Sequence, residues 1–206
     1  MSATALLVAT RSEGKLREIR PIFSAAGLTL VSLDELGIEE SDEEAELEPY
    51  ATFEENAASK ARYFYEVSGG IPTIADDSGL EVAALDGQPG VRSKRWSGRG
   101  DLKGIELDLE NNRALLTSLR GVADTSARYV CAAAYVAVGL ELTARGETSG
   151  SIVPAARGAG GFGYDPYFLS SELGRTFGES TQADKERVSH RGRAFRELLV
   201  RIKSGR

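Results

Sequence analysis

Cysteine and histidine are almost absent: 206 residues hold one of each, Cys131 and His190. One thiol excludes a disulfide framework and a cysteine metal cluster within a single chain. Set in an apolar run, Cys131 reads as a small buried hydrophobe. Long hydrophobic runs are also missing. The longest, such as 129–142, is broken by Gly139 and is too short to cross a bilayer, and the N-terminus lacks the charged-then-apolar pattern of a signal peptide. These absences point to a cytoplasmic protein with no membrane partner. Positive charge is in deficit, with a net charge of -6, which argues against a broad grip on nucleic acid but leaves room for local Lys and Arg aimed at a small phosphate ligand. No linker interrupts the chain, and 41% hydrophobic content suits one domain, at most with two lobes.

What is present centres on the stretch 71–90. It reads as a short apolar strand ending in Asp76 and Asp77, a bend after Ser78 at Gly79, and a second strand closed by the turn dipeptides Asp86-Gly87 and Pro89-Gly90. Adjacent side chains on a strand face opposite ways, so only one of the two acids can face a given pocket. One is then the chemical acid and the other its support. The competing reading is a polar hairpin rim whose acids satisfy turn amides.

Upstream, the apolar run 5–9 followed by Thr10-Arg-Ser-Glu-Gly-Lys15 and a helical face of Leu16, Ile19, Ile22, Phe23 and Ala26 predicts a strand, a loop and a helix, with Gly27 as its stop and a strand over 28–33. Amides at that helix N-terminus beside Lys15 would suit phosphate, although an ordinary connection reads equally well. It is not a Walker A loop, because Leu16 stands where Ser or Thr is needed and Ala9 where the first Gly belongs. The acid-rich segment 34–50 predicts a solvated loop in which one or two Glu could bind metal. Thr52-Phe-Glu-Glu55 is a capping box for a helix that buries Phe53, Ala57, Ala61 and Phe64, carries Lys60 and ends at Gly69-Gly70. Lys60 is either a solvated cation or a reach toward phosphate.

The second half begins with a basic, aromatic loop over 91–98, then a helix over about 101–119 with Ile105, Leu109, Leu116 and Leu119 inward. Strands over 127–138 and 140–145 pair around Gly139, and 151–153 extends the sheet. The glycine run 157–166 brings Phe162 and Tyr164 to where they could stack on a flat ligand, or is simply a flexible loop. Thr181 caps a short helix bearing Lys185, and Ser189-His190-Arg191-Gly192 forms a turn into a last helix with Phe195, Leu198, Leu199 and Ile202 inward. A lone histidine is usually a packing or surface residue, but in that turn His190 could hydrogen-bond a ligand.

In order along the chain, Ala-Thr-x-x-x-Gly-Lys (9–15), Thr-Phe-Glu-Glu-Asn-Ala (52–57), Ile-Ala-Asp-Asp-Ser-Gly-Leu (74–80), Pro-Gly-Val (89–91), Gly-Gly-Phe-Gly-Tyr-Asp-Pro (160–166) and Ser-His-Arg-Gly (189–192) resemble the inosine triphosphate pyrophosphatase family across nearly its whole length. The resemblance implies an α/β fold, a long mixed β-sheet with flanking helices forming two lobes around a nucleotide cleft, as a homodimer. It implies hydrolysis of ITP, dITP and XTP to the monophosphate and pyrophosphate with Mg²⁺. By position, Thr10, Arg11, Ser12, Glu13, Gly14 and Lys15 would wrap the phosphates with Lys60, and Asp77 would be general base and metal ligand. Ser78 would contact substrate, Phe162, Gly163, Tyr164 and Asp165 would hold the base, and Lys185, His190 and Arg191 would close the site. Three departures stand out. Ser12 replaces the usual Asn, Arg92 replaces the Tyr after Pro-Gly-Val, and the metal-binding Glu lies in a stretch that here reads Glu46-Leu-Glu-Pro-Tyr50, where Glu48 is chosen over Glu46. A pyrophosphatase for modified pyrimidine nucleotides and a non-hydrolysing nucleotide-binding regulator remain alternatives. A nucleic-acid-binding protein is the least favoured.

Overall fold

The computed structural model describes residues 5–205. In chain order the regular elements are β1 (Leu6–Val8), α1 (Glu13–Ala25), β2 (Leu30–Ser32), α2 (Phe53–Val67), β3 (Thr73–Val82), α3 (Gly104–Ser118), β4 (Ser126–Ala137), β5 (Leu140–Ile152), β6 (Phe168–Ser170), α4 (Gln182–Val188) and α5 (His190–Ser204). The strands form one six-stranded sheet in the order β2-β1-β3-β4-β5-β6. β1 runs parallel to β2 and β3, whereas β5 and β6 are antiparallel, so this is the mixed α/β sheet with flanking helices that the sequence predicts. No helix among the described residues is long and apolar enough to cross a membrane.

Two compact units share these strands. One comprises residues up to 77, 131–146 and those from 191 on; the other comprises 78–130 and 147–190. In the first, α1 and α5 bury Ile19, Phe23, Phe195 and Leu198, with Phe23 and Phe195 meeting edge to face at 5.8 Å. The α1 cap is Ser12, whose hydroxyl accepts from Lys15 N, and Gly27 at φ +74 ends the turn after the helix, a conformation that favours glycine. In α2, Thr52 accepts from Glu55 N and Phe53, Ala57, Ala61 and Phe64 are buried, as the capping box and spacing predict. The second unit packs Leu80, Leu115, Tyr129, Phe168 and Phe177 together.

Three expectations change. The stretch 71–90 holds one uninterrupted ten-residue strand with both acids in its middle, and Gly79 is buried within it. Buried Ile74, Ala75, Leu80 and Val82 on either side carry the strand through, and the acids have polar partners, so nothing forces the chain to turn there. This removes the hairpin-rim reading. β5 likewise runs unbroken from 140 to 152. In α3 the expected inward face holds only at the C-terminal end: Leu119 is buried and Leu116 packs against the core, but Ile105 and Leu109 are 75% and 58% exposed, while Asn111, Asn112 and Leu115 are buried. Polar partners draw that face in. Asn111 accepts from Ser97 N at 2.8 Å and donates to Lys94 O at 3.0 Å.

Candidate active site

In the first unit β3 presents two neighbouring, buried carboxylates to different partners. Asp76 Oδ2 lies 3.1 Å from Lys15 Nζ and 3.2 Å from Arg191 Nε, and Cys131 Sγ points at it from 3.7 Å. Arg191 Nη1 also donates to Glu18 at 2.5 Å. Burial alone would raise the Asp76 pKa, but Lys15, Arg191 and Lys60 outweigh it and hold the carboxyl well below the usual range. For Arg191 burial works against the charge, and Glu18 and Asp76 reverse that, so the guanidinium stays ionised.

Asp77 is in the opposite situation. Its Oδ2 accepts from Asn56 Nδ2 at 2.9 Å, and that amide is itself held by Tyr50, whose N–H donates to Asn56 Oδ1 at 2.9 Å. Burial first, and then the charge of Glu48, push the Asp77 pKa up to about 6, against the pull of Lys60, Lys15 and Asn56. Glu48 pairs with Lys60, and its own carboxyl is lowered: burial opposes ionisation, but Lys60 and Lys15 prevail. Glu46, the rival acid, is exposed on the 3-10 turn 42–46. Adjacent carboxyls are thus split, one ionised at any ordinary pH and one near the pH at which a base is most useful.

The β1–α1 connection is tighter than a phosphate-wrapping loop over 10–15. Thr10 Oγ1 accepts from Ser12 N at 3.2 Å, and Glu13, Gly14 and Lys15 already belong to the first turn of α1, with Glu13 exposed and Gly14 buried. Arg11 turns to the acidic segment instead. It meets Glu44 at 2.7 Å, Asp34 at 3.1 Å and the Ile38 carbonyl at 2.8 Å, so the segment expected to be solvated is tied down through 3-10 turns at 34–36 and 42–46.

Among the described residues no three His, Cys, Asp or Glu side chains converge as a protein-only metal cage. Glu48 and Asp77 do fit Mg²⁺ shared with a substrate. That ion is usually held by one or two carboxylates plus phosphate oxygens, and Glu48 raising the Asp77 pKa shows two carboxylates in one field that a cation would relieve.

In the second unit the glycine run is pinned rather than flexible. Asp165 is buried, and its Oδ2 accepts from Lys185 Nζ at 2.7 Å and from Phe162 N at 2.8 Å, while Oδ1 accepts from Tyr129 OH at 3.3 Å. A Cβ on Gly161 would stand 2.1 Å from Asp165 Oδ2, so only glycine fits there. Lys185 Nζ sits 4.9 Å from the centroid of the half-buried Phe162 ring. His190 stacks on Tyr129 at 4.5 Å and 6°, buried at the start of α5 rather than in a turn. Tyr164 is buried too, and its hydroxyl donates to Ser93 O at 2.6 Å. That makes it a strut of the core, leaving Phe162 as the aromatic face of this loop. Ser78 is half-buried in β3, in this same unit.

The structure therefore brings Lys15, Asp76 and Arg191 into one cluster, relates Glu48, Lys60 and Asp77 electrostatically to it, and joins Phe162, Asp165 and Lys185 in another. Arg191 is 2% exposed and engaged with Asp76 and Glu18, so a ligand contact there would have to compete with both acids. Sequence reasoning missed Asn56, Glu18 and Tyr129. Asn56 had a readable signal, a polar residue three positions after Phe53 on an otherwise apolar helical face. Glu18 and Tyr129 had none, because their partners are remote in sequence.

The model of the Ham1 family matches residues 6–201. The chain is 47% identical to the dITP/XTP pyrophosphatase of Mycolicibacterium paratuberculosis over 97% of its own length and 96% of that protein. Among solved structures it superposes on a HAM1 protein from Coxiella burnetii with a TM-score of 0.82 at 31% identity, covering 97% of this chain and 98% of that one. It also superposes on a nucleoside-triphosphatase, dITP/XTP pyrophosphatase, from Mycobacterium abscessus with a TM-score of 0.70 at 40% identity, covering 95% and 98%.

Proposed function

This chain belongs to the Ham1 family, and from that premise we propose that it is a nucleoside triphosphate pyrophosphatase that converts dITP, XTP and ITP to the monophosphate and pyrophosphate. The observation that carries the reading is the split carboxylate pair. Asp77, with a pKa near 6 and oriented by Asn56, accepts the proton of a water attacking the α-phosphorus. The new bond is water oxygen to phosphorus; the bond that breaks joins the α-phosphorus to the α–β bridging oxygen, which leaves with its electron pair as pyrophosphate. Lys15 and Lys60 supply fixed positive charge to the phosphates, and Asp76 keeps Lys15 in place. Mg²⁺, held by Glu48 and Asp77, supplies Lewis acidity and charge neutralisation when bound.

Phe162 offers a face for a purine, with Lys185 beside its ring and held there by Asp165, and a donor aimed at the 6-oxo group in this neighbourhood would disfavour adenine. Homodimer assembly belongs to the same reading and rests on the family resemblance. The test is a panel of nucleoside triphosphates, modified pyrimidines included, with products identified and excess chelator as a control. Pyrophosphate from dITP and XTP, slow turnover of ATP and silence in chelator are expected. Orthophosphate with a diphosphate product overturns the reaction, and activity in chelator overturns the metal.

A further inference from the structure

α3 meets the loop of Phe162 through two polar side chains one helical turn apart. Asp108 Oδ2 accepts from Gly163 N at 2.8 Å, and Asn112 Nδ2 donates to Gly163 O at 2.9 Å. As an i, i+4 pair they share one face of the helix, and Asn112 Nδ2 also donates to the Asp108 carbonyl at 2.9 Å, which aims its amide. A single helix thus holds both backbone groups of one glycine. Packing gives no such restraint. Gly163 has φ +60, and nothing lies within 4 Å of where its Cβ would be.

The amide comes at a cost. Asn112 is buried, and its Oδ1 has no hydrogen-bond partner among the described residues, a penalty that an apolar side chain would avoid. The bond to the Gly163 carbonyl gives Asn112 its use. Gly163 directly follows Phe162, whose own N–H is drawn to Asp165, so fixing the Gly163 backbone on one side and the Phe162 amide on the other restricts the direction in which the Phe162 side chain leaves the chain, beside Lys185.

We propose that Asp108 and Asn112 are positioning residues for base recognition, clamping Gly163 so that Phe162 is presented rigidly to the purine of the nucleoside triphosphate. They govern affinity for the base and leave the chemistry at phosphorus untouched. The inference rests on the 162–165 loop binding the base, and Phe162→Ala tests that premise separately.

The experiment is steady-state kinetics of the full chain with dITP and XTP, alongside hydrogen exchange of the 158–166 segment. Asp108→Ala should raise KM roughly tenfold, the usual effect of losing a bond to a charged partner, with kcat within about twofold. Asp108→Asn should restore most of the affinity, because its amide oxygen can still accept from Gly163 N. Asn112→Leu, close in volume and free of the unpartnered oxygen, should stay folded even where Asp108→Ala does not, raise KM and speed exchange at the loop. Unchanged KM in Asp108→Ala and Asn112→Leu, a fall in kcat at constant KM, or failure of Asp108→Asn to rescue overturns the clamp. If Phe162→Ala leaves KM for dITP unchanged, the base-binding role of the loop falls instead.

Discussion

Asp77 sits in surroundings that penalise its charge, so Asp77→Asn should separate function from stability. The carboxyl ordinarily titrates at 3.8 and in the folded chain at about 6, with burial the main cause and Glu48 the second. At about 1.4 kcal/mol per pH unit, that gap is a ceiling of about 3 kcal/mol. The sign follows from proton binding. A folded-state pKa above the unfolded one means the native state holds the proton more tightly, so stability is fully present below pH 3.8 and is lost as pH rises through about 6. Asn does not titrate and can still accept from Asn56. Without divalent metal the variant should therefore melt higher than the parent at pH 8 by about 2–12 °C, taking about 1–3 kcal/mol at about 2–4 °C each for a chain of this size, and the two should converge toward pH 4. Its kcat should fall by about 10² to 10⁴, the contribution of a positioned base, and the parent's kcat/KM should decline as pH falls through the Asp77 pKa of the metal-loaded enzyme, which a bound cation lowers from its metal-free value. Unfolding in chelator at several pH values, beside single-turnover hydrolysis of dITP, measures both. A variant less stable than the parent at pH 8, or one that turns over normally, refutes the assignment of Asp77 as the strained base.

Asp76→Asn should do the reverse to stability, since it leaves Lys15 without its counter-charge and Arg191 with Glu18 alone: a loss of about 3–5 kcal/mol at pH 7 by denaturant titration. The Asp76 pKa is lowered in the fold, so that difference should shrink as pH falls below the ordinary carboxylate range. Ser12→Asn keeps a good cap acceptor for Lys15 N and should change neither melting nor KM by more than a few-fold, whereas Ser12→Ala should cost about 1 kcal/mol in thermal unfolding. Arg11→Ala removes ion pairs that are partly exposed, so it should destabilise by about 1 kcal/mol or less; a collapse of dITP affinity in this variant would show that Arg11 leaves Glu44 for the phosphates.

Local rules recovered much of the fold because they act within a few residues. Thr52 and Thr181 each cap the helix they were expected to cap, Gly27 and Gly139 adopt positive φ where the chain turns, and Ser12, read only as a loop residue, proves to be the cap of α1. The errors arose where a distant partner outranked a local signal. Gly79 looked like a bend, yet the strand continues through it because Leu80 and Val82 find a core on the far side. Ile105 and Leu109 looked like part of the buried face of α3 with Leu116 and Leu119, which do pack inward, but Asn111 and Asn112 satisfy loop backbone groups at 94, 97 and 163, and that outweighs exposing Ile105 and Leu109. A buried amide that completes the hydrogen bonds of a loop removes a larger penalty than the one incurred by a wet leucine.

For the site, strand alternation was enough to say that Asp76 and Asp77 have different roles, but the sense of the difference came from residues far away in sequence. Arg191 arrives from α5 and Lys15 from α1 to meet Asp76, and Asn56 arrives from α2 with Glu48 nearby to meet Asp77. Two cations touch one acid, while the other is bonded to an amide and feels a like charge that works with burial against the pull of Lys60 and Lys15, so burial is overruled at the first and prevails at the second. This is also why Arg191 is a poor choice for a ligand contact. Releasing it from Asp76 and Glu18 to grip a substrate would strand two buried carboxylates, and no single new contact returns that loss. In the proposed reaction its charge would act by holding Asp76 ionised, which in turn holds the Lys15 ammonium beside β3.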